Sequence, residues 1–161
     1  MRRTAWIIVG ACVLALAAVS PGASFARDSA ANPNYVKKAK KVKPLAHRGD
    51  PRAQTLLGFM YVHGRGVPQY YVGGAKWLYR AAAQGDPNAQ YQLGLLYDKG
   101  HGVLQDWVMA YMWLDLAAAG ADPRAREYYT RVRDAVASKM TYAQRAEAQW
   151  MAYSFRPRPE W

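Results

Sequence analysis

The chain has 161 residues, 52% of them hydrophobic and 20% charged, and its formal net charge is +11 at pH 7. This length suffices for one domain with a packed core, and the single cysteine, Cys12, excludes a disulfide framework and a zinc site built on thiolates. Behind the export signal described next, the positive charge favours anionic envelope material over nucleic acid as a partner, with solubility alone as the other explanation.

Residues 1–26 have the parts of a secretory signal peptide. Arg2 and Arg3 precede an apolar run at 5–19, and a small-x-small cleavage motif ends at Ala26. We therefore predict export to the periplasm or the medium, with cleavage near Ala26. The apolar run is shorter than the roughly 20 residues of a membrane span, and an uncleaved N-terminal anchor is the alternative. We expect no other membrane-spanning segment, so the chain would be anchored in a membrane only if residues 1–26 are not cleaved.

The next segment, 27–43, is basic and polar. It contains four lysines within five positions, from Lys37 to Lys41, and Pro44 follows it. Low hydrophobicity with high net charge is typical of unfolded chain. We predict a flexible basic leader here.

Two stretches of 36 residues, 49–84 and 85–120, align without a gap. A period of this length indicates stacked helical units. The first unit with its N-terminal cap covers 44–84, the second covers 85–120, and a third, divergent unit with capping helices covers 121–155. The matching pairs include Gly49/Gly85, Asp50/Asp86, Pro51/Pro87, Gln54/Gln90, Gly58/Gly94, Tyr61/Tyr97, Gly64/Gly100, Gly66/Gly102, Gln69/Gln105 and Trp77/Trp113.

Each unit is predicted to contain two helices. Asp50 and Asp86 are N-caps followed by Pro at the first helical position. Gly64 and Gly100 supply the left-handed residue that ends the first helix. The Gly-x-Gly pairs thus follow a helix and not a strand, which excludes a phosphate-binding loop. The glycine inside each first helix, Gly58 or Gly94, predicts close approach of a neighbouring helix.

The second helix differs between the two units. In the second unit Asp106 is a good cap and the helix ends at Gly120. In the first unit Tyr70 takes the position of the cap and Gly73-Gly74 follows. We therefore expect the second helix of unit one to begin late or to fray.

Beyond 120 the sequence predicts two more helices. The first lies near 123–138, and a Thr-x-x-Gln capping box at Thr141 begins a second that runs to about 154. Residues 156–161, RPRPEW, cannot continue a helix and are predicted to be a flexible tail.

The spaced pattern A-Q-x-x-L-G-x-x-Y-x-x-G-x-G-V, followed by a Trp and A-A-x-x-G-D-P, resembles the Sel-one-like repeat (SLR) family over 49–120. The resemblance implies an all-α fold, in which antiparallel helical hairpins stack as a short right-handed tetratricopeptide-like solenoid. Members of the family are mostly adaptors that hold proteins in complexes. A secreted subset with paired cysteines binds penicillin. This chain has neither those cysteines nor a Ser-x-x-Lys motif, so a hydrolase acting on cell wall or β-lactam is only the third hypothesis.

The inventory of reactive side chains predicts no catalytic, metal or cofactor site. His47, His63 and His101 do not share a register in the repeat, and metal ligands must converge at defined spacing. The carboxylates that are not helix caps form no recurring pair, as a general acid and base would require. We therefore predict that the protein is not an enzyme.

A stripe of first-helix positions that differ between units is the candidate partner site. Residues three or four apart share one helical face, and in tetratricopeptide-like arrays the first helices line the concave surface. The hypothesis is that the stripe contacts a peptide or an acidic protein, and the competing interpretation is a solvated face with packing between units. Its residues are Arg52, Leu56, Phe59, His63, Asn88, Gln92, Leu95, Arg124, Tyr128 and Arg131.

Two functional hypotheses follow. The first is a non-catalytic exported adaptor for proteins or peptides, with no nucleic acid partner. The second is a binder of anionic envelope polymer or lipid that uses the basic leader and the arginines after 120. Salt separates them, because binding through Lys and Arg falls steeply with ionic strength.

Overall fold

The architecture comes from a computed structural model that describes residues 30–160. Seven helices have both ends in this range, and no strand occurs within it. The predicted all-α fold is confirmed. The helices are α1 Pro33–His47, α2 Pro51–His63, α3 Tyr71–Ala83, α4 Pro87–Lys99, α5 Trp107–Gly120, α6 Pro123–Ala137 and α7 Tyr142–Ser154.

The predicted signal at 1–26 lies outside the described residues. Among the helices of residues 30–160, none combines the length and the apolar character that a membrane crossing requires.

The two repeats are the hairpins α2–α3 and α4–α5, and their first helices begin and end as predicted. Asp50 and Asp86 each accept a hydrogen bond from the backbone N–H three residues on, at 2.9 and 2.8 Å. Gly64 and Gly100 are left-handed C-caps with φ of 65° and 69°. These signals recur because both loops must reverse the chain in the same number of residues.

Close helix packing explains the glycine inside each first helix. A Cβ atom at Gly58 would lie 2.7 Å from Leu78 Cγ, and one at Gly94 would lie 2.7 Å from Leu114 Cγ. The backbone oxygens of Gly74 and Ala110 are each 3.1 Å away from these Cβ positions. The predicted close approach is therefore confirmed in both hairpins, and it outweighs the unfavourable helix propensity of glycine.

The main core joins the second repeat to the C-terminal helices. Helices α6 and α7 both pack against α5, and Val136, Met140, Ala148 and Ala152 contribute buried side chains to the same cluster. The capping box is present, since Thr141 and Gln144 exchange side-chain and backbone hydrogen bonds.

The prediction of a flexible leader is wrong for residues 33–43, which belong to α1. Asn32 caps this helix through a side-chain bond to the N–H of Asn34, and a proline follows at the first position. Three buried residues, Ala39, Val42 and Ala46, face α2, whereas the lysines are exposed. A narrow apolar face is thus sufficient because α2 covers it. Pro44 lies inside the helix, on its exposed side.

Helix α1 is also in register with the repeat. Tyr35, Val42 and Ala46 lie 36 positions before Tyr71, Leu78 and Ala82. Helix α1 therefore occupies the place that the second helix of a preceding unit would take. Gly66 lies against the backbone of Tyr35 in the same way as Gly102 lies against that of Tyr71.

The prediction of a late or frayed second helix in unit one is wrong. Helix α3 begins at Tyr71, 36 positions before the first residue of α5. Tyr70 makes no side-chain cap bond, but its ring covers the backbone of Gly73 so closely that a Cβ atom there would collide with it. Tyr70 thus occupies the N-cap position that Asp106 takes in the second repeat, and the missing side chain of Gly73 leaves room for its ring.

The prediction of a flexible tail is also wrong for residues 156–160. This segment has no regular secondary structure, yet it returns to the first repeat, where the backbone N–H of Arg158 donates to the oxygen of Ala83 at 2.8 Å. Glu160 forms an ion pair with Arg80. Residue 161 lies outside the described part of the chain.

Candidate interaction groove

A groove of about 490 Å³ lies between α2 and α4, the first helices of the two repeats. Leu56 and Phe59, both half-buried, supply its apolar surface. The residues that line it are Arg52, Thr55, Leu56, Phe59, Asp86, Asn88 and Gln92.

The helical period brings these side chains to one side. On α2, Arg52, Leu56 and Phe59 are spaced three or four apart, which places them on one face, and Thr55 lies beside Leu56. On α4 the groove begins at the cap Asp86, whose Oδ1 is bound to the N–H of Ala89. The same Asp-Pro start that fixes each helix therefore sets the positions of the groove side chains in both repeats.

Phe59 is held in a stack of planar groups at one end of the groove. The His63 ring centroid is 4.2 Å from that of Phe59, and the Arg65 guanidinium carbon is 5.1 Å from it. Partial burial, and then the charge of Arg65, lowers the pKa of His63 from its ordinary 6.5. The imidazole is therefore mostly neutral at pH 7, and the cation at this end is Arg65.

Tyrosines of α4 and α6 connect the other end to the C-terminal helices. The Tyr129 hydroxyl donates to Asn88 Oδ1 at 2.8 Å, which leaves the amide NH₂ of Asn88 as a donor. Tyr129 stacks on Tyr91 at 4.3 Å, and the hydroxyls of Tyr91 and Tyr128 are 3.2 Å apart. Burial, followed by the hydrogen bond with Tyr128, raises the pKa of Tyr91, so the Tyr91 hydroxyl keeps its proton at neutral pH.

Half of the predicted stripe lines the groove. Arg52, Leu56 and Phe59 of α2 do so together with Asn88 and Gln92 of α4. His63 reaches it only through Phe59.

The other four predicted residues lie elsewhere. Leu95 packs against the main core. Tyr128 is in the tyrosine cluster, Arg131 is 4.0 Å from Glu127 on the exposed side of α6, and Arg124 is exposed. The α6 part of the stripe therefore does not extend the groove as one continuous surface.

Sequence reasoning overlooked three residues at this site: Thr55, Asp86 and Arg65. The sequence already explained Thr55 as a helix residue and Asp86 as a helix cap. No sequence pattern indicates that they also line a groove. Arg65 lies in the loop, where its contact with Phe59 depends on the turn. The only available signal was that Arg65 differs from its counterpart in unit two, His101.

The groove combines apolar contact with amide, hydroxyl and charged groups. Such a mixture suits an extended peptide, whose side chains pack on Leu56 and Phe59 while its backbone meets Asn88 and Gln92. Within residues 30–160 no group of three or more His, Cys, Asp or Glu side chains is placed to hold a metal ion.

Comparisons with known proteins identify the repeat. The sequence model of the Sel1 repeat matches residues 51–86 and 87–122, which confirms the 36-residue period with boundaries two residues later than predicted. No match was found among curated proteins.

The solved structures that resemble the chain include two repeat proteins. One is c5321, described as a protective antigen present in uropathogenic Escherichia coli strains and displaying an SLR fold, with 29% identity and a TM-score of 0.71. The match covers 83% of this chain and 28% of that protein. The other is a Sel1 repeat protein from Oxalobacter formigenes, with 38% identity and a TM-score of 0.51, and covers 56% of this chain and 26% of that one. This chain thus spans less than a third of either relative. Sel1 repeats are generally non-catalytic scaffolds for protein interaction.

Proposed function

We propose that this chain, whose residues 51–122 match the Sel1 repeat, is a non-catalytic adaptor that binds a peptide segment of another protein in the α2–α4 groove. The partner would lie extended along the groove. An acidic residue in the partner would meet Arg52 or Arg65, which are both exposed cations near the apolar surface.

The observation that carries this proposal is the convergence of positions that vary between repeats. The glycine–leucine contacts that hold each hairpin together are the same in both units, whereas Arg52/Asn88 and Leu56/Gln92 differ and yet line one groove. Structural positions of a repeat keep their residue type because each hairpin packs in the same way. Accessible positions that differ between the repeats and line one groove support recognition of a specific partner there.

Selection of peptides from a displayed random library on the purified chain tests the proposal. The affinity of a selected peptide is then measured for the wild type, Phe59→Ala and Arg52→Glu. We expect each change to weaken binding at least tenfold, which corresponds to about 1.4 kcal/mol. Phe59 should matter because buried aromatic anchors carry much of the energy of an interface.

Tyr79→Ala is the matched control, since Tyr79 is a half-exposed aromatic residue of α3 that does not line the groove. Its affinity for the peptide should equal that of the wild type. Peptides that bind Phe59→Ala as well as the wild type would contradict the groove as the site.

We also propose that the protein is exported and that residues 1–26 are removed. The support is the charged start, the apolar run and the cleavage motif of the sequence. Mass spectrometry of the protein produced from its full gene in a Gram-negative host would test this. A mass that begins at Arg27 is expected, and an intact N-terminus in the membrane fraction would indicate the anchor instead.

Salt dependence distinguishes the adaptor from the alternative binder of anionic polymer or lipid. Binding anchored on Phe59 and Leu56 should change little with ionic strength, because apolar contact is not screened. A loss of all binding at high salt would favour the lysines of α1 as the contact.

A further inference from the structure

Residues 155–160 have no regular secondary structure and cross from the second repeat to the first. Phe155 lies against Trp113 of α5, with ring centroids 5.6 Å apart. Pro157 then passes Gly85, and Glu160 reaches Gly49, where a Cβ atom would lie 2.9 Å from its backbone oxygen. The segment therefore fills a path over the two glycine turns that precede the first helix of each repeat.

Side chains of the first repeat hold the end of this segment. Arg80 binds the Glu160 carboxylate with two nitrogens, Nε at 2.9 and 3.0 Å and Nη2 at 2.5 Å. Gln54 Nε2 donates to the same carboxylate at 2.8 Å. The Arg158 N–H donates to the carbonyl of Ala83, and the Glu160 N–H donates to Gln84 Oε1. Backbone and side chain are thus both recognised.

The side chains that bind the segment are held in place by hydrogen bonds within the first repeat. Gln54 is fully buried and donates to the Ala46 carbonyl at 3.1 Å. Gln84 donates to Gln54 Oε1 and to the Gly49 carbonyl. These bonds orient both amides in the absence of Glu160, so the site is preorganised, and preorganised sites bind with less loss of entropy.

The same site does not exist in the second repeat. The counterparts of Arg80 and Gln84 are Leu116 and Gly120. Gln90, the counterpart of Gln54, keeps only the bond to the carbonyl of Ala82 among the hydrogen bonds of the described residues. Of the two repeats, the first alone therefore carries such a site, at residues where the repeats differ.

The segment itself is held weakly. Arg80 and Glu160 remain 38% and 30% exposed, and residues 156–159 are exposed. Exposed ion pairs contribute little free energy, and the segment has no secondary structure of its own. A weakly held segment in a preorganised site exchanges with the open form.

We propose that the Arg80–Gln84–Gln54 site is a second peptide-binding site, separate from the α2–α4 groove, and that residues 155–160 occupy it as an intramolecular ligand. Its ligands are extended peptides that place a carboxylate two residues after a backbone N–H donor. Peptides of this chemistry on other proteins compete with the chain's own segment.

Fluorescence anisotropy with a labelled FRPRPEW peptide tests the proposal on the full chain. An attached ligand competes at an effective concentration in roughly the millimolar range, so the wild type should bind the added peptide weakly. Glu160→Ala loosens the attached segment and should bind the peptide about threefold to fivefold more tightly, because an exposed ion pair contributes only modestly to holding the segment. Adding Arg80→Leu should abolish that gain.

Arg80→Leu places the residue of the second repeat in the first, so the fold should tolerate it. Lys76→Leu is the matched control, because it removes a cation one turn earlier on α3 and should keep the peptide affinity of the Glu160→Ala chain. As a second measurement, amide exchange of Arg158 and Glu160 should accelerate about threefold to fivefold in Arg80→Leu. Peptide binding that ignores Arg80, or amide exchange that Arg80→Leu leaves unchanged, would overturn the proposal.

Discussion

The two repeats have the same internal bonds and different external ones. In both, a glycine admits the second helix, and a glutamine of the loop, Gln69 or Gln105, donates to the carbonyl seven residues earlier at 2.8 or 2.7 Å. The pairs that differ include Val62/Asp98 and Arg80/Leu116.

Each of these differences has a neighbour that explains it. Asp98 faces Lys139, which follows α6, at 2.6 Å. Leu116 packs against the main core, whereas Arg80 meets Glu160. The shared glycines and glutamines therefore mark the hairpin, and these two differences lie where a repeat meets a segment that is not a repeat. This distinction can be tested from the strongest shared feature to the weakest unshared one.

The shared glycines should give the largest effect. Gly58→Val and Gly94→Val should each cost about 3 kcal/mol of unfolding free energy, because the new side chain overlaps Leu78 or Leu114 and the carbonyl behind it. Urea denaturation measures both. The exposed helix position Lys76→Val is the control. A large difference between the two glycine variants would break the equivalence of the hairpins.

The pair Asp98–Lys139 should respond asymmetrically. Lys139→Met removes the closest partner of a nearly buried carboxylate and should cost about 2 kcal/mol, with Lys99 at 3.4 Å as the remaining cation. Asp98→Val introduces the residue of the first repeat and leaves Lys139 in solvent, so its cost should be below about 1 kcal/mol. Thermal unfolding of both variants would test this. A greater loss in Asp98→Val would show that the carboxylate itself stabilises the fold.

Tyr70 and Gly73 should be coupled. Gly73→Ala alone should destabilise the chain by about 1 kcal/mol, because the Cβ atom meets the Tyr70 ring. In a Tyr70→Asp background the same change should be neutral or stabilising, since the ring is gone and alanine favours helix. A double-mutant cycle of denaturation measurements gives the coupling. Additive effects would mean that the ring does not need the glycine.

The smallest effect concerns pH and the ion pair of Glu160. The hydrogen bond from Arg80 is the main cause that lowers the pKa of Glu160 from its ordinary 4.5. A lowered pKa stabilises the fold above the ordinary value, and this contribution is lost as the pH falls through the lowered pKa. Glu160→Gln should be less stable than the wild type by under about 1 kcal/mol at pH 7. The difference should vanish in strong acid, and a difference that persists there would exclude the carboxylate as its source.

Local signals predicted most of the fold correctly. Caps such as Asp50 and Thr141 act within three residues, and the 36-residue period displays every shared contact twice. Helix α1 was missed because five lysines and Pro44 hide its apolar positions, whose only signal is their register with Tyr71, Leu78 and Ala82. Burial against α2 decides the conformation of this segment, and propensity does not.

The groove and the tail were harder to predict, because both depend on contacts between distant residues. Helical spacing placed Arg52, Leu56 and Phe59 on one face, but the stacking of α2 on α4 determines which partners they meet. The tail contact joins residues 80 positions apart, Arg80 and Glu160. Neither residue recurs in the repeat, so the 36-residue period could not predict that they are in contact.

The length of residues 155–160 limits how many repeats can lie between the two ends of this segment. Five peptide units span at most roughly 17 Å, and this length joins Trp113 of one repeat to Arg80 of the one before it. A chain with one more hairpin inserted between them would leave Arg80 out of reach. The distance between Trp113 and Arg80 therefore fixes how many repeats the C-terminal segment can bridge: it reaches from one repeat to the one directly before it.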